Sequence, residues 1–130
     1  MDYKNFKKTT LWKNSTDQIK ILWHIYFTDA KKEGICIGQL NHDLFNKGIK
    51  DFIDGFSCLD RLVLGMELES FTQTTNSGFT TKYKLSKPGK KKLEKALTSS
   101  ELPNIRYPLP LNREEIEKFR NLIKGIYSSE

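Results

Sequence analysis

Between residues 19 and 30 the apolar side chains Ile19, Leu22, Trp23, Tyr26, Phe27 and Ala30 recur at steps of three and four, while Lys20, His24, Thr28 and Lys31 fall on the opposite side. That spacing predicts an amphipathic helix with His24 on its wet face. Ser15-Thr-Asp-Gln18, just before it, has the form of a capping box, in which the Ser15 hydroxyl and the Gln18 side chain take up free backbone N–H groups. Gly34 suits the stop, and Ile35-Cys36-Ile37 is a β-type segment too short to stand alone, expected to pair with a later strand. Gly38 to Phe45 reads as a short helix with Leu40, Leu44 and Phe45 inward, followed by turn chemistry at Asn46-Lys47-Gly48. From Ile49 to Leu64 the positions Ile49, Phe52, Ile53, Phe56, Leu59, Leu62 and Val63 keep helical spacing, with Gly55 weakening the middle and Gly65 marking the end.

After Met66 the period changes from 3.6 toward 2. The threonine-rich run Glu67 to Thr75 and the alternating run Phe79 to Ser86 flank Asn76-Ser77-Gly78, which predicts a β-hairpin. In its second strand Phe79, Thr81, Tyr83 and Leu85 form the covered face, and Thr80, Lys82, Lys84 and Ser86 a wet, basic one. Pro88 belongs in the first turn of a helix, so Lys87 to Leu97 is a lysine-rich helix anchored by Leu93, Ala96 and Leu97. Residues 98–111 hold three prolines and read as an extended linker or strap. Residues 112–130 form a last helix, capped at Asn112, with Ile116, Phe119, Ile123, Ile126 and Tyr127 in one stripe. That stripe must be buried, either back on the domain or against a second subunit. A terminal helix after a strap points to a homodimer.

The fold class expected is therefore α+β, mainly α. Residues 1–14 form a basic N-terminal arm, 15–97 the domain, 98–111 the linker and 112–130 the extra C-terminal helix. The length of 130 residues agrees with one such domain. No apolar run approaches the roughly 20 residues of a membrane span, and the lysine-containing start has no apolar secretion signal, so no membrane association is expected and a cytoplasmic location is. Cys36 and Cys58 are too few for a disulfide framework. The net charge of +6 is unevenly placed: residues 1–14 carry +3 and residues 79–97 carry +6, against −3 elsewhere. Charge of this sign, gathered on the hairpin and the helix after it, calls for an anionic partner.

Helix, short strand, helix, turn, helix, β-hairpin, helix is the order of a winged helix-turn-helix domain. Leu59-x-x-Leu62-x-x-Gly65-Met66-x-Leu68 resembles the end of the recognition helix and the passage into the wing in bacterial and archaeal winged-helix regulators. Tyr83-Lys84-Leu85-Ser86-x-x-Gly89-Lys90-x-x-Leu93 resembles their exit from the wing. The resemblance is to MarR-type and PadR-type transcriptional regulators and covers about residues 15–97. It implies binding to double-stranded DNA, with the third helix in the major groove and the wing at the phosphates or the minor groove.

The residues themselves support the wing. Lys82 and Lys84 share one strand face, and Lys87, Lys90 and Lys91 continue the positive surface. Lys4, Lys7, Lys8 and Lys13 suit a flexible arm that tracks a groove or merely solubilises the chain. The third helix departs from the pattern, since its polar positions Lys50, Asp51, Asp54, Ser57, Asp60 and Arg61 hold one more acid than base. Base contacts then fall to Lys47, Lys50 and Arg61, with Gln39 and Asn41 at the start of the preceding helix. The same acidic face suggests the rival reading, an adaptor that binds a protein through the third and last helices. Cys36, Cys58, His24 and His42 lack metal-ligand spacing, and no nucleophile elbow, phosphate loop or dinucleotide fingerprint is present. Neither a metal nor a cofactor nor catalysis is expected, and no small-molecule effector is indicated: Trp12, Trp23 and Phe56 are aromatics at core spacing.

Overall fold

A computed structural model describes residues 2–28, 30–45 and 58–107, together with Glu114, Glu117, Lys118 and Asn121. The side chains of Ala30, Lys31, Asn41, Phe45 and Cys58 are excluded from this description. The chain runs through α1 (Tyr3–Phe6), α2 (Thr10–Asn14), α3 (Asp17–Phe27), α4 (Ala30–Glu33), α5 (Ile37–Phe45), α6 (Cys58–Leu64), β1 (Leu68–Thr75), β2 (Gly78–Leu85) and α7 (Lys87–Ser99). It is α+β and mainly helical, with one antiparallel hairpin among the described residues. The expected turn at Asn46-Lys47-Gly48 and the first part of the third helix, with Gly55 and Phe56, lie outside the described residues.

The basic arm expected over residues 1–14 is folded into the core. Asp2 and Thr9 cap α1 and α2 by accepting from Asn5 N and Trp12 N. Phe6 is buried, its ring centroid 4.6 Å from that of Trp23 and 4.7 Å from that of Phe27. Tyr3 stacks on Phe27 at 5.6 Å. Burying aromatics of this size is worth roughly 1.5–3 kcal/mol each, which offsets part of the entropy lost on ordering the arm. Lys4, Lys8 and Lys13 remain exposed on this layer, and Lys7 lies over the Tyr3 ring at 4.4 Å.

That layer changes the fate of α3. Its N-cap is Thr16, whose hydroxyl accepts from Ile19 N, one residue later than the capping box implied. Ser15 instead donates to Leu11 O and accepts from Trp23 Nε1 at 3.1 Å, so the hydroxyl satisfies the one polar atom of a fully buried indole. Gln18 is buried and donates to Tyr107 O. His24, expected on the wet face, is buried because α1 covers it.

Gly34 stops α4 at φ +80°, and the short segment after it pairs as expected: Ile35 N–H donates to Tyr83 O at 2.8 Å and Tyr83 N–H to Ile35 O at 2.9 Å. In α5, Leu40 and Leu44 are buried. The end of α6 is set by Met66 rather than Gly65. Met66 has φ +69°, with Met66 N donating to Val63 O and Glu67 N to Leu62 O, the paired bonds of a Schellman turn. Gly65 serves a different purpose, since a Cβ there would meet the Glu67 carboxylate at 2.6 Å.

Glu67 ties the hairpin to the helices on either side. Its carbonyl accepts from Ser86 N, its Oε1 accepts from Arg106 N at 3.2 Å, and its Oε2 lies 3.6 Å from Lys92 Nζ. Ser86 caps α7 by accepting from Gly89 N, and its hydroxyl donates to Met66 O. Gly89 packs so closely that a Cβ would sit 2.0 Å from Glu67 O. Residues 100–107, expected as a linker, are strapped to the body, with Pro103 and Ile105 buried. Glu114, Glu117, Lys118 and Asn121 are helical and exposed, spaced as one polar face; the stripe Ile116, Phe119, Ile123, Ile126 and Tyr127 lies outside the described residues.

Two substitutions test the junction in urea unfolding. Met66→Gly relieves a left-handed backbone at an exposed position and should stabilise the fold by roughly 0.5 kcal/mol or more. Gly89→Ala should destabilise it by about 3 kcal/mol, because the obstacle is backbone. An unchanged Gly89→Ala midpoint would contradict the close packing.

Candidate nucleic-acid interface

The hairpin pairs Leu68 with Leu85 through Thr75 with Gly78, leaving Asn76-Ser77 as a two-residue loop. Gly78 adopts φ +130°, a conformation closed to side chains with a Cβ. The covered face expected for β2 holds only near its root, where Tyr83 and Leu85 are buried. Phe79, assigned to that face by the alternation, is 78% exposed, because the distal hairpin extends past the buried root and no described residue covers the ring. Residues 72–79 are all exposed.

Lys82 stands opposite Phe71 and Lys84 opposite Glu69, with Lys84 Nζ 5.4 Å from the centre of the Phe71 ring. Both lysines are half-buried, so their stems are supported by the hairpin. Strand β2 then passes through Ser86 into α7, whose Pro88 occupies the first turn. Lys87, Lys90 and Lys91 are exposed at this helix start, and Lys95 continues their side of the helix. Lysines at the positive end of a helix dipole oppose it by a few tenths of a kcal/mol each. From Ser70 to Leu93 there is no acidic residue and there are six lysines; Glu69, facing Lys84 across the hairpin, and Glu67, 3.6 Å from Lys92, partly offset that charge.

The helix-turn-helix half fares differently. Gln39 is exposed on α5, but its amide donates to Asp43 Oδ1 at 2.6 Å. The backbone of Asn41 lies in α5, and Lys47 and Lys50 are outside the described residues. Arg61 is only 7% exposed, which removes it from any DNA-facing surface. The physical reason is that α6 is covered nearly all round: Leu59 and Leu62 are buried with Arg61, while Asp60, Val63 and Leu64 are half-covered. Asp60 is thus a weak element of the acidic adaptor face, whose other members Asp51 and Asp54 lie outside the described residues.

Asp43 belongs to a buried polar chain that sequence spacing did not reveal. Tyr3 Oη lies 2.8 Å from His24 Nδ1, and His24 Nε2 lies 3.2 Å from Asp43 Oδ2. With Nε2 donating to the carboxylate, Nδ1 accepts from the tyrosine hydroxyl. Burial pushes the Asp43 carboxyl up, but hydrogen bonds from Gln39, His24 and His42, with the attraction of His24 once it is protonated, outweigh it and hold the group below its ordinary value. At Glu67 burial prevails over the Arg106 amide and Lys92, and the carboxyl is raised.

Trp23 is core and Trp12 packs against that core. A cleft of about 420 Å³ lies between α1–α2 and the end of α7, lined by Phe6, Thr9, Leu11, Asn14, Leu97 and Leu102 among others. Among the described residues no cluster of His, Cys, Asp or Glu has the makings of a metal site, and no helix is long and apolar enough to cross a membrane. Comparison with known protein families, curated proteins and solved structures gave no match to the chain.

The two carboxylates should respond to pH with opposite signs. Asp43→Asn should cost about 1–2 kcal/mol near neutral pH, and the cost should begin to shrink as pH falls below the ordinary aspartate value of 3.8 and be lost as pH passes through the lowered folded-state value, where the wild-type carboxylate is itself protonated. The advantage of wild type over Glu67→Gln should instead shrink as pH rises above the ordinary glutamate value of 4.5, because charging the buried group destabilises the fold. Urea titrations across pH 3 to 8 check both slopes; parallel profiles would refute the assignment.

Proposed function

We propose that this chain is a winged-helix DNA-binding protein of the transcriptional-regulator kind, which holds double-stranded DNA through its wing and the helix that follows. Among the described residues the order α3, α4, the Ile35 bridge, α5, α6, hairpin, α7 is compatible with the winged-helix resemblance, with α4 as an addition, and the pairing of Ile35 with β2 supports the reading. The observation that carries the reading is the acid-free run from Ser70 to Leu93, which sets Lys82 and Lys84 on one hairpin face and Lys87, Lys90 and Lys91 at an exposed helix start. Such charge opposes folding locally and favours phosphate binding, where each neutralised phosphate releases counterions. Base contacts rest on Lys47 and Lys50 at the third-helix start, with Asn41 nearby in sequence. Gln39 reaches a base only by leaving Asp43.

Fluorescence anisotropy with a random-sequence duplex in a salt series tests the wing. Affinity should fall steeply with salt, and Lys82→Ala/Lys84→Ala should reduce the log–log slope by about two. An unchanged slope would remove the wing from the interface. Failure of micromolar protein to retain a random duplex at low salt would favour the adaptor reading instead.

The dimer belongs to the same proposal and rests on the stripe Ile116, Phe119, Ile123, Ile126 and Tyr127. Light scattering should give twice the chain mass for wild type and the single mass for Ile116→Asp/Phe119→Asp. A monomeric wild type ends the dimer proposal.

A further inference from the structure

We propose that Phe79 is a wedge that enters the minor groove of duplex DNA and unstacks a base step. The inference rests on the DNA-binding reading above and adds to it the residue that deforms the duplex. Phe79 shares its strand face with Tyr83 and Leu85, yet it is 78% exposed where they are each 8% exposed. A lone exposed apolar residue is ordinary on a protein surface; this one stands at the apex of a projecting hairpin. It is the second residue after the two-residue loop, and Gly78 between them, where a Cβ would meet nothing within 4 Å, leaves the apex bare on that side. The loop is braced by Thr75, whose hydroxyl donates to Gly78 O at 3.1 Å, so the ring is presented on a closed turn.

The surroundings of the ring select the partner. Gln73, Thr74, Thr75, Asn76, Ser77 and Thr81 are exposed, uncharged hydrogen-bonding side chains suited to base edges and sugars. Lys82 follows Phe79 by three residues, about 10 Å along a strand. The minor groove is about 7.5 Å deep, so a ring at its floor leaves Lys82 near the rim, where the phosphates lie. An anionic bilayer would also attract the lysines, but insertion there would carry the polar loop into hydrocarbon beside a single aromatic, with no aliphatic neighbour at the apex. Aromatic and aliphatic wedges of this kind kink the duplex by partial unstacking, most readily at flexible TA steps.

The test uses the full chain and a duplex rich in TA steps, labelled at both ends for energy transfer and probed with permanganate, which oxidises unstacked thymines. Wild type should bend the duplex and expose thymines. Phe79→Ala, a substitution at an exposed position, should bind about tenfold more weakly, the scale of one lost aromatic–base stack. It should keep the salt slope and lose both the bend and the permanganate signal, whereas Phe79→Leu should retain the bend in part. If Phe79→Ala bends and binds like wild type, the wedge is overturned while the lysine surface stands. If wild type binds no duplex at low salt, both readings fall. Binding to phosphatidylserine vesicles that depends on Phe79, with no effect of Phe79 on the duplex, would overturn the wedge and assign the apex to a membrane surface.

Discussion

The fully buried carboxylate of Glu67 lies where α6, the hairpin, α7 and the strap meet. Removing a carboxylate from water costs several kcal/mol unless donors replace the lost hydration, and here an Arg106 amide and a Lys92 ammonium supply part of that replacement. The backbone of the same residue is held on both sides, its N–H by Leu62 and its carbonyl by Ser86. The last turn of α6 and the N-cap of α7 are therefore fixed to the backbone of one residue. The direction in which the hairpin leaves the body, and the placement of the lysines after it, follow from that junction.

A second constraint comes from the beginning of the chain. The aromatic layer of Tyr3, Phe6 and Trp12 closes one side of α3, and through His24 it reaches Asp43 on α5. The spacing between α3 and α5 is thereby specified by directional polar contacts as well as by apolar packing. Gln39 is held at the same carboxylate, which limits the freedom of the one candidate base-reading side chain described on this helix.

Elements with local causes were legible from sequence. Helix α3, the hairpin with its two-residue loop, and α7 with proline in its first turn each follow from periodicity, turn chemistry or capping within a few residues. The fates of His24, Glu67, Arg61 and Phe79 were not legible, because each depends on whether a distant segment covers the residue. His24 sits on the polar side of its helix and is buried only because α1 returns over it. Glu67 reads as an ordinary strand residue until the strap closes on it. Phe79 obeys the alternation of a covered face, but the body ends before the strand does. The cap of α3 failed for a different reason: adjacent Ser15 and Thr16 are both competent caps, and the buried indole of Trp23 claims the first. Within the candidate interface, the lysine positions were legible because charge runs are local, whereas the burial of Arg61 was not.

The hairpin is clamped at one end only. Near its root β2 is held on its other edge by the Ile35 bridge and the hairpin is anchored by buried Tyr83 and Leu85, while the outer half is a two-stranded ribbon wetted on both faces. Such ribbons are marginal in water by themselves, so the free energy of opening an amide should decline from root to apex. In mechanical terms the element is a cantilever, stiff where its lysines are seated and compliant where it ends. A partner would meet the yielding end first, and any load placed there would be carried back to the backbone of Glu67.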